Sequence, residues 1–276
     1  MEHKLQHYTL TLTVEGPVHI GGGKSIGKKE YIYNSQKNRV HIPNLPKMLE
    51  FFSKNKLSSS FENYLLYDRG DLAGWLGKNR VTPQQYQPWI AYELDAGDTQ
   101  LERLSKKEIL VFQKDPYGNP YVPGSSLKGA LRTMLLGAIL LSNQGRLQGH
   151  QSAVLGANLR PGNKNNLQSE RNKLEQSAFC RLKQNKEQPQ DAVNDQLRGL
   201  RVGDSEPLET CDLVLCQKID LTRDGTANPL PILRECLRPG VKIRFPLTID
   251  ANYCPYTPQS LLAAAKAFSQ FYDSAF

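Results

Sequence analysis

The chain has 276 residues, a formal net charge of +8 and a pI of about 9.2, so it can hold two modest domains and favours a polyanionic partner. Its five cysteines form no CxxC pair, and none lies at zinc spacing with a histidine pair, which indicates a reduced, cytoplasmic protein without a metal site. No cofactor is expected. The N-terminus is too polar for a signal peptide, and Lys128 and Arg132 interrupt the longest apolar run, so no membrane span is expected.

The N-terminal third is predicted to mix strands with short helices. Residues 8–14 alternate apolar and threonine side chains, which is typical of a half-buried strand. Two short strands are predicted at 30–33 and 39–42. A helix should follow Pro43-Asn44, with four side chains inward. These are Leu45, Met48, Leu49 and Phe52.

Residues 53–107 are less regular. Short helices are predicted near 61–66 and 71–76, and Trp75 and Trp89 should anchor a core. A strand at 108–113 and a turn at 115–119 then lead to the longest apolar run.

The run at 121–141 predicts a helix that begins after Pro123-Gly124 and is capped by Ser125 and Ser126. Lys128 and Arg132 lie one turn apart on a different face from the apolar residues. Free N–H groups and the helix dipole allow this helix start to bind a phosphate group. The alternative is a capped core helix whose basic edge faces solvent. The apolar face is Leu127, Leu131, Met134, Leu135, Ala138 and Leu141.

Residues 142–200 are polar, and apart from one helix near 166–184 they are predicted to be loop or partly disordered insertion. Order should resume at residue 200. The later predictions are strands at 201–202, 212–220 and 241–250, a long loop at 224–239 and a terminal helix at 259–271. The order of elements suits an α+β sandwich with helices on one side of an antiparallel sheet.

Gly21, Gly22 and Gly23 are predicted to form a loop with bare backbone, surrounded by the cations Lys24, Lys28 and Lys29. A P-loop would need glycine in place of Val18 and a helix after the Lys-Ser pair, and a dinucleotide fingerprint would need glycine in place of Ile26. The stretch is therefore either a loop that approaches a phosphate backbone or a plain surface loop.

Two histidines allow a catalytic interpretation. His19 or His41 could act as the general base of a metal-free ribonuclease, although an ordinary strand histidine explains His19 as well. Asp204, in a strand-to-turn exit with Ser205, should cap local N–H groups. No Ser-His-Asp arrangement and no carboxylate cluster is apparent in the sequence.

Three segments together resemble the RAMP superfamily of CRISPR effector proteins: the N-terminal strand with PVHIGGG at 17–23, VPGSSLKGALR at 122–132, and LRVGDS at 200–205. KEYIY at 29–33 and VHIP at 40–43 are similar to the capping RAMP subunit of type III-A (Csm) complexes. The same holds for LCQKID at 215–220, for NPLPILRE at 228–235, and for the long span between the glycines and the PGSSLKG helix.

The resemblance implies an α+β protein with two ferredoxin-like, RRM-related domains that carry helical and loop insertions. The expected boundaries are 1–141 with an insertion at 53–107, a polar insertion at 142–199, and 200–276. It further implies a non-catalytic subunit in antiviral defence that binds the 3′ part of the CRISPR guide RNA, caps the filament and assists guide maturation. The implied partners are a backbone RAMP subunit, the small helical subunit and host nucleases.

The residues expected to contact RNA share a basic charge, a bare backbone or a helix start. They are His19, Gly21, Gly22, Gly23, Lys24, Lys28, Lys29, Gly124, Ser125, Ser126, Lys128, Arg132 and Arg201. Glu30, in a strand-like segment, stands where backbone RAMP subunits carry a catalytic Asp, and the C-terminus looks short for the family. The alternatives are a metal-free endoribonuclease that processes repeat RNA, a backbone RAMP subunit, and a pure scaffold.

Overall fold

The structure is a computed structural model that describes residues 5–97, 99, 108–142, 148–162 and 165–275. Its mixture of helices and strands confirms the α+β class. The strands are β1 (Leu5–Thr13), β2 (Gly21–Ile26), β3 (Ile32–Asn34), β4 (Arg39–Pro43), β5 (Ile90–Asp95), β6 (Ile109–Phe112), β7 (Leu200–Val202), β8 (Leu213–Leu221), β9 (Ala227–Leu237) and β10 (Lys242–Asp250). The helices are α1 (Leu45–Lys54), α2 (Ser58–Tyr67), α3 (Leu72–Lys78), α4 (Pro83–Tyr86), α5 (Gly124–Leu141), α6 (Gln148–Leu155), α7 (Gln168–Phe179) and α8 (Pro258–Ala275).

The chain divides into two compact units, each assembled from separate stretches. Unit 1 draws on Met1–Thr11, Val122–Ser205 and Arg244–Phe276, and unit 2 on Leu12–Tyr121 and Glu206–Ile243. The domain boundaries expected from the resemblance, and the assignment of two ferredoxin-like domains, stay predictions.

Unit 2 contains a seven-stranded sheet in the order β2-β6-β9-β8-β5-β4-β3. The helices α1 to α4 pack around an aromatic core that includes Phe52, Trp75 and Trp89, so both tryptophans are confirmed as core anchors. Asn44 caps α1 by accepting a hydrogen bond from Lys47 N at 3.2 Å, as its sequence position predicts.

One detail of α1 differs from prediction. Met48 and Phe52 are buried, but Leu45 and Leu49 are about half exposed. The buried face of α1 is narrower than the apolar pattern indicated. The aromatic side chains of α2 and α3 pack against the face that carries Met48 and Phe52, and not against Leu45 and Leu49.

Unit 1 holds the three-stranded sheet β1-β10-β7 and the long helices α5 and α8. The two helices pack closely: a Cβ added at Gly137 of α5 would lie 2.6 Å from the Phe268 ring of α8. Alternate residues of β10 are buried, as is the apolar stripe of α5. Within unit 1, the buried set is Phe245, Leu247 and Ile249 from β10 with Leu127, Leu131 and Leu135 from α5. Met134 and Ala138 of the predicted stripe are half-buried, and Leu141 is exposed.

The predicted loop at 224–239 is wrong, because most of it is strand β9. Pro229 and Pro231 misled the prediction, since proline is disfavoured in a central strand. They are tolerated because, among the described residues, β6 pairs with β9 only at Leu233 and Arg234, and the earlier part of β9 is bonded there to β8 alone.

The polar insertion is partly helical, with α6 and α7 in it. Residues 143–147 and 163–164 of that stretch lie outside the described residues. The segment at 185–195 is a loop, as predicted, but it is ordered around the buried Asn194. The side-chain amide of Asn194 donates to the carbonyls of Asn185, at 2.8 Å, and Gln188, at 3.1 Å.

Candidate nucleic-acid interface

The three glycines form a strand rather than the predicted loop. β2 is an edge strand paired antiparallel with β6, and its register shifts between Gly21, opposite Phe112, and Ser25, opposite Leu110. The irregularity accommodates the extra residues, and Gly23 takes the left-handed φ of 73° that favours glycine. Gly21, Gly22, Gly23 and Lys24 are all exposed. The expected bare backbone is therefore present, but on a sheet edge.

His19 is held in place just before this strand. Its Nδ1 lies 2.7 Å from the carbonyl oxygen of Glu235, and its ring meets the edge of Phe112 at a centroid distance of 6.3 Å. A Cβ at Gly21 would lie 3.2 Å from His19 Nε2. These contacts give His19 a structural role at the entry to β2.

A buried polar network that sequence reasoning missed lies beside His19. The Glu235 side chain is fully buried, and it accepts hydrogen bonds from Tyr92 Oη at 2.6 Å and from Phe112 N at 2.9 Å. Lys114 Nζ also bonds the Glu235 carboxylate, and it lies 3.0 Å from Tyr92 Oη. Burial lowers the pKa of Lys114 while the Glu235 carboxylate opposes that effect. A charged pair, Arg234-Glu235, inside the otherwise apolar segment ILRECL was the available signal.

Two of the predicted RNA-contacting lysines are engaged within unit 2. Lys29 Nζ donates to the carbonyls of Tyr64, at 3.0 Å, and Leu65, at 2.8 Å, at the C-terminal end of α2, where the helix dipole favours a cation. Lys28 Nζ bonds the carbonyl of Arg69. Both side chains tie the turn after β2 to the helices.

Glu30 lies in that same turn and not in a strand. Its Oε2 accepts a hydrogen bond from Gly27 N at 2.7 Å, which closes the turn locally. The strand predicted at 30–33 begins later, at Ile32.

The N-terminus of α5 is capped by a distant residue. Gly124 N donates to Asp204 Oδ1 at 2.8 Å, whereas no side chain within the helix start caps it, so the predicted caps Ser125 and Ser126 are wrong. Val122 N donates to Ser205 Oγ at 2.9 Å, and Ser205 N returns a bond to the Val122 carbonyl at 3.0 Å. We call this arrangement of residues 122–124 and 202–205 the helix clasp.

Gly124 is the centre of the clasp. A Cβ there would lie 2.3 Å from the carbonyl oxygen of Val202 and 2.4 Å from that of Gly203. Only glycine allows the helix start to approach the end of β7 this closely. Two of the three segments that carry the family resemblance thus meet in one structural contact.

Arg132 is an internal ion-pair centre. Its Nε lies 3.0 Å from Glu175 Oε2, its Nη1 lies 2.6 Å from Asp195 Oδ2, and its guanidinium stacks 4.4 Å from the Phe179 ring centroid. Burial opposes the charge, but hydrogen bonds to both carboxylates raise the pKa of Arg132 overall. Lys128, one turn earlier, is half-buried, and desolvation lowers its pKa.

Arg201 is different, since it is exposed on β7 with Thr248 as its partner on β10. The structure thus sorts the predicted contacts into two groups. An exposed group comprises Gly21, Gly22, Gly23, Lys24, Ser125, Ser126 and Arg201, and an engaged or half-buried group comprises His19, Lys28, Lys29, Gly124, Lys128 and Arg132.

The described part of the chain lacks two features. No group of three or more His, Cys, Asp or Glu side chains there could hold a metal ion. No helix among the described residues is long and apolar enough to cross a membrane.

Comparison with known proteins gives consistent matches. A family model described as the RAMP superfamily matches residues 11–262. The CRISPR system Cms protein Csm5 of Mycobacterium tuberculosis (strain CDC 1551 / Oshkosh) is 32% identical over 275 residues, which cover 91% of this chain and 68% of that protein. The Csm5 protein of Streptococcus thermophilus is 28% identical over 284 residues, which cover 100% of this chain and 73% of that protein.

Two solved structures share the fold. The crystal structure of T. onnurineus Csm5 matches with a TM-score of 0.64 at 21% identity, covering 88% of this chain and 68% of that one. A chain in the cryo-EM structure of a Csm-crRNA-target RNA ternary complex of a type III-A CRISPR-Cas system matches with a TM-score of 0.57 at 18% identity, covering 88% of this chain and 64% of that one.

Proposed function

The chain belongs to the RAMP superfamily, among the Csm5 proteins of type III-A CRISPR systems, and from this premise we propose that it is a guide-RNA-binding subunit of a Csm complex without chemistry of its own. In this role it caps the filament at the 3′ part of the guide RNA, assists guide maturation in antiviral defence, and acts in the cytoplasm. Its partners are a backbone RAMP subunit, the small helical subunit and host nucleases.

The observation that carries the RNA-binding proposal is the exposed glycine edge of β2. Three consecutive residues without side chains lie at the edge of a sheet, followed directly by the exposed Lys24. A bare backbone lets N–H groups come close to phosphate oxygens, and such contacts position a nucleic acid without reading its sequence. The net charge of +8 supports a polyanionic ligand.

The engaged cations support this surface indirectly. Lys28 and Lys29 fix the turn that follows β2, and Arg132 fixes α7 and the 185–195 loop against α5. We therefore assign the direct phosphate contacts to the exposed group, and we assign positioning roles to the engaged lysines and to Arg132. That the glycine edge and the start of α5 face the same side stays a prediction.

The contacts of His19 and His41 do not favour the endoribonuclease alternative. His41 is buried with its Nδ1 3.1 Å from Glu93 Oε1, and His19 Nδ1 is occupied by the Glu235 carbonyl. Lys114 is bonded to the Glu235 carboxylate, so it is not placed to stabilise a phosphate charge from there.

Lys24→Ala should reduce the salt dependence of RNA binding. For a single strand, each phosphate that the protein no longer neutralises lowers the magnitude of the log–log slope of affinity against salt by about 0.7. Filter-binding titrations of the full chain with guide RNA, repeated at several salt concentrations, measure this slope. Lys47→Ala is the matched control, because Lys47 is also an exposed lysine of unit 2 but lies on α1. Equal slopes for both variants would remove Lys24 and the glycine edge from the RNA contact.

A further inference from the structure

Strands β8 and β9 of unit 2 bring together two cysteines that are far apart in the sequence. Cys216 is the register partner of Arg234, and Val214 is the register partner of Cys236. Paired residues of an antiparallel ladder point to the same side of the sheet, and so do residues two apart along one strand. The two cysteines therefore lie on one side, as diagonal neighbours across the ladder. The register shift of this ladder begins after Gln217, beyond the pair.

The two thiols differ in exposure and in acidity. Cys216 is half-buried, whereas only 4% of the Cys236 surface is exposed. A hydrogen bond from the Cys236 thiol lowers the pKa of Cys216 to about 7, against the opposite effect of burial. The same hydrogen bond, together with burial, raises the pKa of Cys236. Because a thiolate is stabilised by solvation, the more exposed Cys216 is the member of the pair that ionises.

Arg234 places a positive charge beside the pair. It lies opposite Cys216 and two residues before Cys236, on the same side of the sheet. Its Nε is buried and has no hydrogen-bond partner among the residues that the structure describes. The Arg234 charge opposes the rise in the pKa of Cys236. A neighbouring arginine favours the thiolate, which is the nucleophilic form of cysteine, so the surroundings of the pair support thiol chemistry.

The diagonal position determines the kind of bond that the pair can form. Diagonal neighbours in an antiparallel ladder have Cα atoms about 7–8 Å apart, whereas a disulfide spans up to about 7 Å without backbone movement. A disulfide across this diagonal is therefore strained. Strained disulfides are more easily reduced than structural ones and include the regulatory ones. Such a pair stays as two thiols under reducing conditions and closes when an oxidant is present.

We infer that Cys216 and Cys236 form a peroxide-sensitive thiol pair that closes reversibly to a disulfide between β8 and β9. This modification site goes beyond the proposed function and does not depend on it. Because β8 and β9 are neighbours in the middle of the seven-stranded sheet, the bond ties its central strands together.

The oxidant is hydrogen peroxide, and the reaction has two steps. The Cys216 thiolate first attacks one peroxide oxygen: an S–O bond forms, the O–O bond breaks, and the departing hydroxide takes up a proton to become water. The Cys236 sulfur then attacks the sulfur of the sulfenic acid: the S–S bond forms, the S–O bond breaks, and a second water leaves with the Cys236 proton. The two thiols are oxidised to one disulfide while one peroxide is reduced to two waters.

Peptide mapping of the full chain tests this inference. The reduced protein is treated with a small excess of hydrogen peroxide, blocked with iodoacetamide and digested with trypsin in the absence of reductant. Trypsin places Cys216 in the peptide 202–218 and Cys236 in the peptide 235–242. The expected product is these two peptides joined to each other, and dithiothreitol should separate them.

Cys211 provides the matched control. It lies in the same tryptic peptide as Cys216 and is exposed, but its hydrogen bond to Glu209 raises its pKa. Cys211→Ser should leave the joined product unchanged, and Cys216→Ser should abolish it. In a time course of iodoacetamide labelling at pH 7, Cys216 should react before Cys211, although Cys211 is the more exposed thiol.

Several results would overturn the inference. They are a joined product that persists in Cys216→Ser, oxidation of Cys216 to sulfinic acid without a link to Cys236, and faster labelling of Cys211. A disulfide between two chains, visible as a dimer on a non-reducing gel, would overturn it as well. The wild-type peptide map tests the disulfide by itself, so the inference stays falsifiable if a serine variant fails to fold.

Discussion

Gly124→Ala should be the most destabilising small substitution in unit 1, lowering the free energy of unfolding by about 3 kcal/mol or more. The added methyl carbon would lie 2.3 Å from the Val202 carbonyl oxygen and 2.6 Å from the Gly203 carbonyl carbon, and both are backbone atoms that cannot rotate away. Relieving the overlap requires the start of α5 to move from β7. That movement breaks the bonds from Gly124 N to Asp204 and from Val122 N to Ser205.

Gly129→Ala is the matched control for this effect. Gly129 lies in the same helix, and a Cβ there would meet nothing within 4 Å. Alanine in a helix interior is favoured over glycine by about 0.5–1 kcal/mol, so this variant should be slightly more stable than the wild type. Urea denaturation followed by circular dichroism measures both. Similar midpoints for the two variants would contradict the helix clasp.

Glu235→Ala should destabilise unit 2 by about 3–5 kcal/mol, because it leaves a buried ammonium group without its counter-charge. The carboxylate is fully buried and holds Lys114, Tyr92 and the backbone N–H of Phe112 together. Three strands, β5, β6 and β9, contribute to this network, so its removal loosens the middle of the sheet.

The control for Glu235 is Glu50→Ala, which breaks the fully exposed ion pair with Lys54 on α1. An ion pair this exposed is screened by solvent and adds little to stability, so the control should unfold almost like the wild type. The double variant Glu235→Ala with Lys114→Met should recover part of the stability, since no unpaired charge then stays buried. A Glu235→Ala variant as stable as Glu50→Ala would contradict the structural role of the network.

The local elements were largely predictable from the sequence. The alternation of β1, the apolar period of α5, and the tryptophans at 75 and 89 each indicate their structure within a short window. Such signals are strong because one buried face imposes its period on neighbouring residues. The sequence was misleading at prolines and glycines, which are disfavoured in strands. Pro229 and Pro231 led to a predicted loop in place of β9, and the three glycines led to a predicted loop in place of β2.

The long-range contacts were not predictable. Asp204 caps a helix that begins eighty residues earlier in the chain, and its sequence position indicated only a local turn. Glu235 looked like one charged residue in a loop, and its partners Tyr92 and Lys114 come from other parts of the chain. The hydrophobic period of a helix or strand indicates which of its faces is buried. It does not indicate which polar group from a distant part of the chain contacts that element.

These contacts change the interpretation of the basic residues. Lys128 and Arg132 looked like a phosphate seat beside the helix start, yet the Gly124 N–H is capped by Asp204, and Arg132 holds two carboxylates. Among the described residues, exposed cations lie elsewhere, at Lys24 beside the glycine edge and at Arg201 on β7. Basic residues in a sequence motif can form ion pairs within the protein. These ion pairs have to be identified before the motif is assigned to nucleic-acid binding.

The most direct test of the central claim is recovery of guide RNA with the chain. The full chain is co-expressed with a backbone RAMP subunit of the same system and a guide RNA, then purified through an affinity tag on the chain in EDTA. Denaturing gel electrophoresis shows the length and amount of any bound RNA. A subunit that binds guide RNA without chemistry of its own should bring down RNA that stays intact during prolonged incubation. An eluate without RNA, or progressive cutting by the purified chain alone, would contradict the account.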